Sequence, residues 1–152
     1  MTAANRLTRI VLASRPEGRP EPANFRIEQA DIPELAEGEV LLKVRYLSLD
    51  PYMRGRMSAA KSYAASTEIG AVMDGGTVAE VVESRNDGFR VGELVLSYSG
   101  WQTHAVSDGK GLMKLDNWPA PPSTALGVVG MPGLTAYAGL LTLGRPKPGE
   151  TV

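Results

Sequence analysis

The chain contains no cysteine and a single histidine, His104. Disulfide stapling is thereby excluded, and the ligands from which zinc sites are usually built are almost absent, so neither a structural nor a catalytic zinc is expected. No sign of charge prevails either: 16 Lys and Arg stand against 17 Asp and Glu, a formal net charge of -1. Such a balance offers no global attraction to nucleic acid or to an anionic membrane surface, and no partner of either kind is expected. Long apolar runs are missing as well. After Met1-Thr2-Ala3-Ala4-Asn5-Arg6 the first apolar stretch is short and is broken by Arg9 and Arg15. It reads neither as a signal peptide nor as a membrane span, and the cytoplasm is the expected compartment.

What is present supports one globular domain with a core. The 152 residues are 43% hydrophobic and 22% charged, outside the range of compositional disorder. The first two thirds is β-rich. In Val40 to Tyr46, Leu42, Val44 and Tyr46 fall on one face and Leu41, Lys43 and Arg45 on the other, the alternation of a half-buried strand. Gly76 to Ser84 and Glu93 to Ser97 are apolar or β-branched runs expected to pair antiparallel. The intervening Arg85-Asn86-Asp87-Gly88 suits a turn that needs positive φ. Further strand signals lie at Leu7 to Leu12, Phe25 to Ile32, Gln102 to Val106 and Leu112 to Leu115. Seven or so short strands at this spacing predict a small barrel or sandwich.

The last third changes period. Ser123 is the expected N-cap of a short helix ending near Gly127 or Gly130. Pro132 is placed to open a second helix, with Leu134, Tyr137 and Leu141 on a core-facing stripe and Gly144 as its stop. The turn Arg145 to Glu150 then leads into Thr151-Val152, the start of a further strand.

One motif follows the clearest strand: Tyr46-Leu47-Ser48-Leu49-Asp50-Pro51-Tyr52-Met53-Arg54-Gly55-Arg56-Met57. Asp50 can cap and Pro51 can open a single helical turn without any function. Tyr52 has a second use, because a phenol is a neutral hydrogen-bond donor at pH 7 and can serve a carbonyl oxygen without being charged. Arg54 and Arg56 could bind a phosphate, but in a chain of such balanced charge they are read as solvated or ion-paired. His104, in a strand-like segment, is read as packing. Tyr98 and Trp101 flank a turn and suit either a substrate wall or barrel packing.

The run YLSLDPYMRGRM, together with YSGW at Tyr98 to Trp101 and GVVGMPGLTAYAGLL at Gly127 to Leu141, closely resembles the zinc-independent medium-chain dehydrogenase/reductases that reduce activated double bonds. That group includes prostaglandin and leukotriene reductases, plant alkenal reductases and bacterial NADPH-dependent curcumin reductases. The resemblance covers nearly the whole chain from Val11 onward. It implies a mainly β fold with short helices: a GroES-like β-barrel substrate domain over 1–126 and a helical connection over 127–152. A Rossmann domain would follow and is absent from this chain. It also implies reduction of the C=C bond of an α,β-unsaturated ketone or aldehyde by NADPH, and a homodimer for the full-length form. Tyr52 would face the nicotinamide and substrate, and Tyr63 would reach the substrate from a loop. Met131 and Thr135 would line the cofactor, with Gly130 and Gly133 small enough for a flat ring to approach; Tyr98 and Trp101 would contact substrate. A stand-alone β-barrel that binds a ligand or a protein without catalysis is the alternative.

Overall fold

The computed structural model describes residues 6–62 and 64–152. Strands β1 (Arg6–Leu12) and β2 (Phe25–Asp31) pair antiparallel, with Ile10 opposite Ile27. Strands β3 (Val40–Leu47), β4 (Thr77–Ser84), β5 (Leu94–Ser97), β6 (His104–Ser107) and β7 (Met113–Lys114) form one antiparallel sheet in the order β6-β3-β4-β5-β7. Single bridges tie β1 to the segments that precede two strands of the larger sheet: Arg9 to Gln102, before β6, and Val11 to Val72, before β4. The seven strands predicted between Leu7 and Leu115 are present, whereas Thr151-Val152 is in no strand, and the fold is mainly β with a few short helices.

The central strand explains why its sequence does not simply alternate. On β4, Ala79 and Val81 pack with Val40, Leu42 and Val95, whereas Val78 packs on the opposite side with Leu115 and Ala125. With both faces covered, consecutive apolar residues are favoured. Thr77 is also fully buried; its hydroxyl lies 2.6 Å from that of Ser97, which satisfies both. A third cluster, Leu12, Met57 and Met73, joins the small sheet to the segment that follows β3. The alternation expected along β3 ends at Val44, because a bulge between Val44 and Tyr46 leaves Tyr46 half exposed.

Several local expectations are corrected. The turn after β4 does not use positive φ at Asn86, Asp87 or Gly88; its positive-φ residue is Gly92, at 92°. Asn86 instead builds the turn with its side chain: Oδ1 accepts from Gly88 N at 2.9 Å, and Nδ2 donates to Gly38 O at 2.6 Å. Helix α1 (Tyr52–Arg56) opens on backbone bonds from Met53 and Arg54 to the carbonyls of Asp50 and Pro51, and the Asp50 side chain does not cap it. Ser123 lies inside a 3-10 turn, Pro122–Leu126, rather than at its N-cap. Helix α2 (Met131–Tyr137) continues into a π-helical stretch, Ala138–Gly144, and the left-handed stop falls on Arg145, φ 48°, one residue past Gly144. Leu134, Tyr137 and Leu141 are 68%, 61% and 50% exposed instead of core, because this helical arm leaves the barrel and the described residues provide no second layer over it. Among the described residues, no helix is long and apolar enough to cross a membrane.

Candidate active-site cleft

The cleft is assembled from four breaks in regular structure. Beyond β3, Ser48 N donates to Gly76 O at 2.9 Å, and the chain then turns at Asp50-Pro51 into α1, which places Tyr52 on one wall. Tyr98, from the turn after β5, stands on another. Gly75 forms part of the floor, and Met131 enters from the start of α2. Tyr52, Arg56, Asp74, Gly75, Tyr98 and Met131 enclose an open cleft of about 390 Å³. A narrow recess beside it shares Tyr52, Tyr98 and Met131 and reaches Ser48, Gly76 and Leu126.

Tyr52 is half buried, and its phenol titrates above the ordinary value of 10.0. Burial is the main cause; Asp50, Tyr98 and Asp74 add to it, and the Arg56 guanidinium opposes it. The hydroxyl is therefore a neutral donor at physiological pH. Asp74 accepts a 2.8 Å hydrogen bond from Thr67 Oγ1. The Arg56 guanidinium carbon lies 5.9 Å from the Tyr52 ring centroid. Burial lowers the titration of His104, and Lys43 on the neighbouring strand lowers it further. His104 lines neither cleft nor recess.

The sequence-predicted residues separate into two groups. Tyr52, Tyr98 and Met131 meet in the cleft. Trp101 stacks on Phe25 at 5.6 Å between centroids, within the cluster of Leu12, Met57 and Met73, and stands behind Gly75. A methyl at Gly75 would come 3.1 Å from Trp101 Cδ1 and 2.9 Å from Leu47 Cδ1, so Trp101 supports the cleft floor from beneath. Thr135 is exposed one helical turn beyond Met131, on the same face of α2, outside the residues that line the cleft. Tyr63 lies outside the described residues. Gly130 and Gly133 have a steric duty of their own: a methyl at either would overlap the carbonyl of Ala125 or Val128, respectively, in the preceding turn. Sequence reasoning missed Arg56, Asp74 and Gly75. Arg56 could have been found from its four-residue spacing from Tyr52, which puts both on one helical face; nothing local marked Asp74.

The fold is thus an antiparallel β module that holds a neutral phenol at the mouth of an open cleft. The chain belongs to the family described as N-terminal domain of oxidoreductase, which matches residues 8–115, and falls in the medium-chain dehydrogenase/reductase group. It is 57% identical over 144 residues to the NADPH-dependent curcumin reductase of Escherichia coli (strain K12), a match covering 95% of this chain and 42% of that protein. Prostaglandin reductase 1 of Rattus norvegicus is 48% identical over 139 residues, covering 90% and 40%. The crystal structure of CurA from Vibrio vulnificus in complex with NADPH superposes with a TM-score of 0.87 at 60% identity, covering 94% of this chain and 42% of that one. The chain thus spans about two fifths of the length of these relatives.

Proposed function

We propose that this chain is the substrate-side domain of an NADPH-dependent oxidoreductase that reduces the C=C bond of α,β-unsaturated ketones or aldehydes. The observation that carries the reading is Tyr52, a phenol kept neutral on a cleft shared with Tyr98 and Met131. The names of the relatives supply the reaction class.

The residues present fit the nicotinamide end of the cofactor. The cleft is open, Gly75 keeps its floor low, and Met131 offers a polarisable apolar contact for a flat ring. Met131 and Thr135 are assigned to that contact because they share one face of α2. A pyrophosphate calls for backbone amides at a glycine-rich strand-to-helix turn, which the described residues do not contain, and its binding is assigned to further chain. When bound, NADPH supplies the hydride that adds to the substrate β-carbon.

As that bond forms, the electron pair of the C=C bond shifts and negative charge gathers on the carbonyl oxygen. A proton taken up at the α-carbon then completes the saturated product. Tyr52 donates its O–H to the carbonyl oxygen, a bond that strengthens as the enolate develops and so favours the transition state over the ground state. Tyr98 bounds the substrate opposite, Trp101 keeps the floor rigid, and Tyr63 is assigned a second donor role. The test is NADPH oxidation with an enone by the full-length enzyme and its Tyr52→Phe variant. A fall in kcat/KM of about a hundredfold is expected for loss of one oxyanion donor; unchanged kinetics would reduce Tyr52 to packing.

A further inference from the structure

Helix α1 has only five residues and no side-chain N-cap, far too short to persist by itself. Arginines fasten it. Arg54 donates to Gly18 O at 2.8 Å and to Pro16 O at 3.2 Å, and Arg15 donates to Met57 O at 3.0 Å, and none of these residues lines the cleft. Arg56 does something different. Its Nη1 donates to Ala65 O at 2.7 Å, its own carbonyl accepts from Thr67 N at 2.8 Å, and it lines the cleft. Among the described residues, its buried Nε has no hydrogen-bond partner and no carboxylate stands within ion-pair distance of it. Asp74, the acid in the same cleft, is engaged by Thr67 instead.

Its charge is thus neither cancelled by a carboxylate nor fully in water, and it lies over the Tyr52 ring. A cation on an aromatic face orients the ring and stabilises negative charge as it builds on the phenol oxygen. The planar guanidinium can reach a carbonyl with one edge while its face covers the ring, a combination a lysine ammonium does not offer.

We propose that Arg56 is a positioning residue for enone reduction. It locks the Ala65–Thr67 segment to α1 and holds Tyr52 as an oriented, strengthened donor. The proposal rests on the enone-reductase reading above. It deepens that reading by assigning the donor strength of Tyr52 to a second side chain.

The experiment measures enone-dependent NADPH oxidation by the full-length enzyme carrying Arg56→Met or Arg56→Lys, and Arg56→Met on a Tyr52→Phe background, with thermal melts to verify folding. Arg56→Met is expected to lower kcat about tenfold while the KM for NADPH stays within about twofold. Arg56→Lys should recover part of the loss, and on the Tyr52→Phe background Arg56→Met should cost less than about twofold, because its target is gone. An unchanged kcat in a folded Arg56→Met enzyme, or an equal loss in both backgrounds, overturns the proposal and leaves the functional reading standing. Should Arg56→Met fail to fold, Arg56→Lys measured in the wild-type and Tyr52→Phe backgrounds decides: wild-type kcat, or an equal loss in both backgrounds, overturns the proposal, and a partial loss confined to the background that retains Tyr52 supports it. A wild type without any enone-dependent oxidation overturns both.

Discussion

Two glycines on the same helical arm should respond to alanine in opposite directions. Helix propensity alone favours Ala over Gly by about 1 kcal/mol at an interior position. At Gly139 nothing lies within 4 Å of the added methyl, so Gly139→Ala is expected to stabilise the chain by about 0.5–1 kcal/mol. At Gly133 the methyl would occupy the space of the Val128 carbonyl, a rigid backbone group. Helix α2 must then shift from the turn beneath it, which weakens the bonds from Gly133 N to Gly127 O at 3.1 Å and from Leu134 N to Gly130 O at 2.9 Å. Weakening the two bonds, short of breaking them, costs about 1 kcal/mol in total and overpacking strain adds about 1–3 kcal/mol, so after the propensity gain of about 1 kcal/mol Gly133→Ala should cost about 2 kcal/mol. The two variants would differ by about 3 kcal/mol, or about 6–12 °C in Tm for a chain of this size. Thermal melts followed by circular dichroism at 222 nm measure the difference. A Gly133→Ala chain as stable as Gly139→Ala would refute the close seating of α2 on the 127–130 turn, and with it the placement of Met131 at the cleft.

Two further outcomes are expected. Asn86→Ala should destabilise the chain by about 2 kcal/mol in urea denaturation, because it removes the acceptor for Gly88 N and the donor to Gly38 O; a loss under about 0.5 kcal/mol would mean the turn holds without its side chain. Phenol absorbance at 295 nm, taken as the difference between wild type and Tyr52→Phe, should give Tyr52 a midpoint above 10.0. Because its folded pKa lies above its unfolded one, the stability associated with neutral Tyr52 is intact below about pH 10 and declines as pH rises through the folded value; a midpoint at or below 10.0 would overturn the burial argument.

Strand positions were legible because they rest on local rules. Alternation along Val40 to Val44 and the apolar run from Gly76 to Ser84 select extended backbone whatever the rest of the chain does. Failures arose where a residue's partner is distant in sequence. Asn86 and Gly88 look like a positive-φ turn, yet the turn is held by a side chain that reaches Gly38. Leu134, Tyr137 and Leu141 form an apolar stripe, but a stripe shows only that a face suits burial, and the described chain supplies nothing to bury it. Trp101 suited either wall or packing, and its stack on Phe25 is a contact that no local pattern announces. Arg56 was read as solvated or ion-paired because charge balance says nothing about which arginine borders a cleft.

The sequence by itself determined the set of strands, the absence of cysteine and the motifs around Tyr52, Tyr98 and Met131, because each is a property of a short stretch of chain. Only the tertiary structure decided the order β6-β3-β4-β5-β7, and with it which of those motifs meet. Antiparallel pairing brings the end of β3, the start of β4 and the end of β5 to one edge, where Tyr52, Gly75 and Tyr98 gather, and the clash-limited seating of Gly130 and Gly133 delivers Met131 to them. A site made of distant segments exists only once long-range contacts have fixed the register, and no local pattern carries that information.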